Sequence, residues 1–307
     1  MSLYLKYRPD DFNLVKGNSE IITSLTTMLS KKDPPHSYFF FGPTGCGKTT
    51  LARIVATKLG CSLDSDEFTE VDSAYYRGID DVREMRRISN YMPAVGDCRV
   101  WILDECHKIT GDAQNALLKW LEDTPKHVYV ILCTTDPDKV IPTIKGRCQQ
   151  FGLKPLSDSQ MFGLLRRIVK EEDETVEKEV LDQIVEDSKG HARNAIQTLE
   201  QVLSVPEDKR LEIAKQSVRE MSLAIDLCRA LINKGSSWKQ INTILKGLNN
   251  EDPERIRRAV IGYCTSVLLK GDNILCGLIL EEFLDHPFYD SPMPQLVFAC
   301  YNVINNR

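Results

Sequence analysis

The sequence predicts an α/β domain built on a parallel sheet, followed by an all-helical C-terminal half. Three observations carry that expectation. In the first half, short apolar, β-branched runs alternate with stretches of helical periodicity, the pattern of strand–helix–strand crossovers. One junction between a strand and a helix holds a glycine-rich turn, "GPTGCGKTT" at 42–50. Beyond Pro155 no convincing strand remains, and apolar residues recur at spacings near 3.6.

"SYFFF" (37–41) is the first expected strand. "TLARIVATKLG" (50–60) follows as a helix with Leu51, Ile54, Val55 and Leu59 on one face. "FTEVD" (68–72) reads as a short strand and "DVREMRRISNYM" (81–92) as a helix. "RVWILDE" (99–105) and "VYVILCTT" (128–135) are apolar throughout, as strands covered on both faces are, with the helix "GDAQNALLKWLED" (111–123) between them.

In "PLSDSQMFGLLRRIVKEE" (155–172), Ser157 and Gln160 have capping-box spacing ahead of a periodic helix. Helical patterns then recur at 176–187, 192–204, 223–233, 238–248, 254–269 and 294–304. Gly190 is a helix stop and "SVPEDKR" (204–210) a break between helical blocks. The chain therefore divides into an α/β domain (1–155), a small helical domain (156–206) and a helical C-terminal domain (207–307).

Composition narrows the class. The 307 residues are 42% apolar and 27% charged, which suits a soluble globular protein of two or three domains. A net charge of −5 excludes a generically basic nucleic-acid binder, so any such contact must be a local patch. The ten cysteines include no C-x-x-C pair, and Cys106–His107 fits no common zinc pattern. Reduced, mostly buried thiols in a cytoplasmic protein are expected. "MSLYLKYRPDDF" has no apolar core, so no signal peptide is expected, and no apolar run approaches the ~20 residues of a membrane helix.

Gly42, Pro43, Thr44, Gly45, Cys46, Gly47, Lys48 and Thr49 fit G-x-x-x-x-G-K-[ST] at every fixed position, with Thr50 next in line. Such a loop curls its N–H groups toward phosphates, and the helix behind it adds the positive end of its dipole. Lys48 would neutralise the β and γ phosphates of ATP, and the Thr49 hydroxyl would ligate Mg²⁺. About fifty residues on, a buried strand ends in Asp104 and Glu105. Asp104 suits the metal, and Glu105 suits activation of the attacking water.

"YLKYRPDDFNLVKG", "GPTGCGKTT", "WILDECHK", "NALLKWLED" and "CTTDPDKVIPTIKGRCQQF" together resemble the ATPase subunits of sliding-clamp loaders. These are AAA+ P-loop NTPases: the gamma/tau subunit of bacterial DNA polymerase III, the small subunits of replication factor C and the large clamp-loader subunit of some phages. The resemblance covers residues 3 to about 200. It implies an AAA+ domain, a helical lid and a helical collar that holds a ring of subunits together. It also implies roles. Thr135 falls on the first sensor, Arg193 in "GHARNAIQTLEQ" on the second, and Arg147 on the arginine finger that reaches a neighbour's ATP. Gly146 stands where the family has serine. Tyr7, Arg8, Pro9 and Val15 lie where the family packs the adenine base, although each alone would serve equally as a core-packing arm.

Two helix starts are candidates for DNA. "YYRGIDDVREMRR" offers Arg77, Arg83, Arg86 and Arg87, offset by Asp80, Asp81 and Glu84. "KITGDAQNALLKW" offers Lys108, Thr110 and, one turn in, Gln114. In the family these helices line a spiral that tracks the duplex.

The four-cysteine zinc module of gamma/tau subunits is missing between 59 and 68, so no zinc is expected. Nor does a long C-terminal extension follow, which fits a compact loader subunit of the kind a phage or streamlined system would use, acting in the host cytoplasm in the phage case. The implied partners are a sliding clamp, primer-template DNA and other subunits of a pentamer, with several copies of this chain and at least one different subunit. Three rival readings stand beside this one. A branch-migration motor lacks support from a winged-helix signature. A non-hydrolysing brace conflicts with intact Lys48, Thr49, Asp104 and Glu105, and a small-molecule kinase leaves the helical half unexplained.

Overall fold

The computed structural model describes residues 2–233, 235–248, 252–269, 271–284 and 292–306. It falls into two compact units, Met1–Leu211 and Glu212–Arg307.

The first unit is organised by a five-stranded parallel sheet, β1 (Ser37–Phe41), β2 (Phe68–Asp72), β3 (Arg99–Asp104), β4 (Val128–Thr134) and β5 (Gln149–Gly152), in the order β2-β3-β4-β1-β5. Alternation along the strands sends side chains to two cores. Tyr38, Phe40, Val100, Ile102, Ile131 and Cys133 pack with Leu51, Ile54 and Val55 of α3 (Lys48–Lys58). Phe39, Trp101, Leu103, Val130 and Leu132 pack with Leu117 and Trp120 of α5 (Gly111–Glu122). Both faces are therefore covered, which is why β3 and β4 are apolar at nearly every position. The chain steps from β1 out to β2 and returns through β3 and β4 before adding β5 on the other side of β1. That reversal sets a crevice at the carboxyl ends of β1, β3 and β4.

The remaining helices before β5 are α2 (Ser19–Leu29), α4 (Ile79–Ser89) and α6 (Pro142–Lys145), while the short N-terminal α1 (Leu3–Lys6) packs against the helix at Ala192–Leu203. The sequence gives no strand signal at 149–152. β5 is a polar edge strand in which only Phe151 is buried, and its hydrogen bonds to β1 are what make it a strand. The strands expected to run to Glu105 and Thr135 end one residue earlier, β3 because Glu105 turns into left-handed backbone (φ +49°).

Three helices follow: α7 (Asp158–Glu171), α8 (Lys178–Ser188) and α9 (Ala192–Leu203). The capping box forms, with Gln160 N donating to Ser157 Oγ (3.4 Å) and Ser157 N to Gln160 Oε1 (3.0 Å). Gly190 has φ +80°, and a Cβ there would lie 2.6 Å from Leu156 O. Leu156 N donates to Gly190 O at 3.0 Å, so the chain entering α7 crosses the chain leaving α8 in direct backbone contact.

The break before the second helical block is only Ser204–Pro206, since α10 (Glu207–Ile232) takes up the charged residues that follow. Arg210 fixes this start by donating to Thr175 O and pairing with Glu174. The second unit contains α11 (Trp238–Gly247), α12 (Pro253–Leu268), α13 (Ile274–Leu284) and α14 (Pro292–Asn305) around Leu227, Ile241, Val260, Ile279 and Leu296. Cys228, Cys264, Cys276 and Cys300 are small apolar members of that core, and burial pushes the Cys228 thiol up to about 12. All ten cysteines are free thiols.

Candidate active site

The glycine-rich turn leaves β1 at Phe41 and enters α3 at Lys48. Gly42, Gly45 and Gly47 have φ of +142°, +74° and +96°, values that L side chains rarely adopt. At Gly42 a Cβ would also lie 2.4 Å from Leu153 O, so two constraints require glycine there. Lys48 is buried, and its Nζ donates to the carbonyl oxygens of Gly42 (3.0 Å) and Pro43 (2.9 Å). The ammonium thus lies across the loop beside the first turn of α3.

Sheet order brings the acidic pair to the same place. Thr49 Oγ1 donates to Asp104 Oδ2 at 2.8 Å, which puts a hydroxyl and a carboxylate together as hard oxygen donors. Glu105 accepts from Thr135 Oγ1 at 2.9 Å on its Oε2. His107 Nδ1 lies 3.2 Å from that same oxygen and 2.9 Å from Thr134 Oγ1. Among the described residues no cluster of three or more His, Cys, Asp or Glu could hold a metal by itself.

The crevice is a cavity of about 190 Å³ whose walls include Gly45, Lys48, Thr49, Asp104, Glu105 and Arg193. Tyr7, Arg8, Pro9 and Val15 line it from the N-terminal arm. Arg8 Nε donates to Thr50 Oγ1 at 3.2 Å, and burial, helped by Arg53, lowers this guanidinium below its ordinary value. The Tyr7 hydroxyl donates to Glu172, which also takes Lys6 Nζ at 2.6 Å. The sequence motifs assign no role to the wall residue Tyr4 or to His191 beside the loop. Tyr4 lies under the Arg193 guanidinium at 5.8 Å, and His191 Nδ1 is 2.5 Å from Thr44 O.

A loop with these glycines, a buried lysine and a Thr–Asp pair is legible as a phosphate site, and known proteins with the same chain pattern exist. The family described as DNA polymerase III, delta subunit, matches residues 69–157. The DNA polymerase III subunit gamma/tau of Mycobacterium tuberculosis is 32% identical over 282 residues, covering 83% of this chain and 48% of that protein. The tau subunit of Bacillus subtilis is 31% identical over 330 residues, covering 99% of this chain and 58% of that protein. The chain is a homologue of the gamma/tau subunits of DNA polymerase III.

It spans about half the length of the first of these relatives. The fold is that of AAA+ proteins: the Thermotoga maritima RuvB Holliday junction branch migration motor superposes with a TM-score of 0.61 at 16% identity, over 74% of this chain and 80% of that one.

In this gamma/tau homologue Arg147 stands apart from the cavity. Its Nη1 donates to Thr143 O at 3.0 Å and its Nη2 pairs with Glu122 on the surface. Gly146 closes α6 with right-handed backbone (φ −67°), and its N–H donates to Pro142 O at 2.9 Å.

The candidate DNA residues divide. Arg77, Arg83 and Lys108 are exposed, with Arg83 paired to Asp80 at 3.2 Å. Thr110 caps α5 by accepting from Ala113 N (3.4 Å), and its N–H donates to Arg77 O (3.1 Å), which ties the two helix starts together. Gln114 is a correction. It is 6% exposed, and its amide donates to Ile109 O and Lys139 O (both 3.2 Å) and accepts from Ile141 N (3.0 Å). A side chain that braces α5 against the segment before α6 has no group left for DNA.

Proposed function

We propose that this chain is an ATP-hydrolysing subunit of a DNA sliding-clamp loader. The observation that carries the reading is the meeting of Lys48, the Thr49–Asp104 pair and the Thr135-held Glu105 at one cavity, while Arg147 lies outside it. The glycine cradle of Gly42, Gly45 and Gly47 suits the phosphates of ATP, and Arg8, Pro9 and Val15 suit its base.

Thr49 and Asp104 would hold Mg²⁺, which supplies charge neutralisation at the phosphates. Lys48 orients the same phosphates. Glu105 takes the proton of the attacking water, and Thr135 keeps the Glu105 carboxylate in place. Arg193 stands on the lid side of the cavity, with His191 tied to the loop at Thr44 beside it, so nucleotide contacts there would set the angle of α7–α9 against the sheet. Arg147, too far round to serve its own cavity, would serve the next subunit's. Arg77, Arg83, Lys108 and the capped start of α5 would follow a duplex backbone, a weak contact multiplied over subunits. Residues 207–307 would form the collar of a pentamer containing several copies of this chain and at least one different subunit.

Steady-state ATP hydrolysis tests this, with Lys48→Ala as the blank and three conditions: no addition, primer-template DNA, and DNA with the cognate clamp. Stimulation by DNA, and more by the clamp, is expected. Activity indifferent to both would overturn the loader reading in favour of another AAA+ machine.

A further inference from the structure

The reaction above gives no role to His107, yet its ring touches the carboxylate that would activate water. Glu105 leaves β3 in left-handed backbone, and Cys106–Lys108 form one tight 3-10 turn whose first residue, Cys106, is buried. That turn folds the imidazole back over the strand ends. Only 13% of the His107 side chain is exposed.

Nδ1 lies 3.2 Å from Glu105 Oε2, and because an ionised carboxylate only accepts, this nitrogen can bond to it only as an N–H. The oxygen to which Nδ1 is hydrogen-bonded is Thr134 Oγ1, at 2.9 Å. Thr134 is fully buried on β4 and accepts from Asp136 N at 3.0 Å, so it is a fixed post. Thr135 Oγ1 donates to Oε2 as well, at 2.9 Å. Oε2 is therefore held by the Thr135 hydroxyl and flanked by the imidazole, while among the described residues no hydrogen bond reaches Oε1.

We infer that His107 is a positioning residue for hydrolysis: its Nδ1–H, braced by Thr134, fixes Oε2 of Glu105 so that Oε1 is the oxygen that receives the water proton. The inference rests on the hydrolytic reading of the site. It concerns geometry rather than charge. A rotating carboxylate would present its basic oxygen in the wrong place, and small misplacements near reacting atoms are costly to rate.

The imidazole can be replaced atom by atom. In His107→Asn the amide nitrogen falls where Nδ1 was, and in His107→Gln it falls near Nε2. His107→Ala and His107→Gln should lower kcat for ATP roughly 10- to 100-fold with KM for ATP and thermal midpoint little changed. His107→Asn should recover most of the rate. Equal activity of the asparagine and glutamine variants, whether high or low, would overturn the inference, as would a full-rate alanine variant. If His107→Ala fails to fold, the asparagine–glutamine contrast decides by itself. Glu105→Gln, assayed in parallel for fluorescent-nucleotide binding and for hydrolysis, separates the two levels. If Glu105→Gln hydrolyses normally, the hydrolytic reading falls; if it binds nucleotide without hydrolysis and His107→Ala is unimpaired, only the role of His107 falls.

Discussion

Two dead variants of this chain should restore activity when mixed. On the proposed function, Arg147→Ala leaves a complete cavity but removes the finger, and Lys48→Ala spoils the cavity but keeps the finger. The structure sets the energies. Arg147 is 36% exposed and Glu122 47%, so their pair is worth about 0–1 kcal/mol, and releasing it to reach a neighbour costs no more than that. A finger at the transition state contributes about 10³ in rate or more, equivalent to ~4 kcal/mol, which exceeds the release cost several-fold. Each variant alone should therefore hydrolyse ATP at background level while keeping a normal thermal midpoint. In an equal random mixture a competent interface needs an Arg147→Ala chain owning the cavity and a Lys48→Ala chain beside it, so about a quarter of same-chain interfaces recover. The assay is steady-state hydrolysis after co-refolding or co-expression, with DNA and clamp present. A mixture no more active than its parts, with assembly verified by sizing, would refute the trans assignment. So would Arg147→Ala retaining full activity by itself.

Gln114→Leu should destabilise the fold by about 2–3 kcal/mol, because Ile109 O, Lys139 O and Ile141 N lose their partner, yet leave DNA affinity of the folded chain unchanged. Lys108→Ala should do the reverse, lowering the salt slope of DNA binding by about one ion with no change in melting; a DNA titration over a salt series reads both. Glu67 is nearly buried, accepts from Ala94 N (2.6 Å) and pairs with Arg99 (2.5 Å). Burial pushes its carboxyl up, but the Ala94 N–H and the Arg99 guanidinium outweigh this and leave it below its ordinary value. Its contribution is then full above the ordinary glutamate range and lost as pH falls through the lowered value, so Glu67→Gln should cost about 3–5 kcal/mol at neutral pH and flatten the acid limb of a stability–pH curve. Gly42→Ala should cost more than 2 kcal/mol, roughly, and abolish nucleotide binding, whereas Gly111→Ala, with open space at the start of α5, should raise the thermal midpoint by a gain of about 0.5–1 kcal/mol.

What the sequence revealed and what it hid have physical explanations. The phosphate loop was legible because backbone curvature, a cation and a hydroxyl at fixed spacing leave few residue choices, and the central strands because burial on both faces demands unbroken apolar runs. β5 was hidden because an edge strand with one buried residue has no periodicity to display. Gln114 misled because a polar residue near a helix start has the same appearance whether it faces solvent or braces two loops, and only the returning 139–141 segment decides. His107 had no signal of its own. Its contact depends on left-handed backbone at Glu105 and on β4 lying next to β3, both products of tertiary structure.

The same distinction governs how the lid could respond to ATP. Lys6–Glu172 is a half-exposed pair, and His191 reaches Thr44 through one hydrogen bond, so these ties contribute little each and leave the lid angle soft. The crossing of Leu156 and Gly190 is different: its backbone contact is too close for any Cβ, so it resists sliding and is the natural pivot. A ligand can shift such a set of polar ties around a stiff pivot only through contacts it makes differently in the open and closed arrangements. On the proposed function those contacts belong to Arg193, which stands on the first turn of α9, immediately beyond the pivot. Replacing Arg193 would then leave the closed geometry available but remove what selects it, so the loss should fall on assembly and hydrolysis rather than on stability.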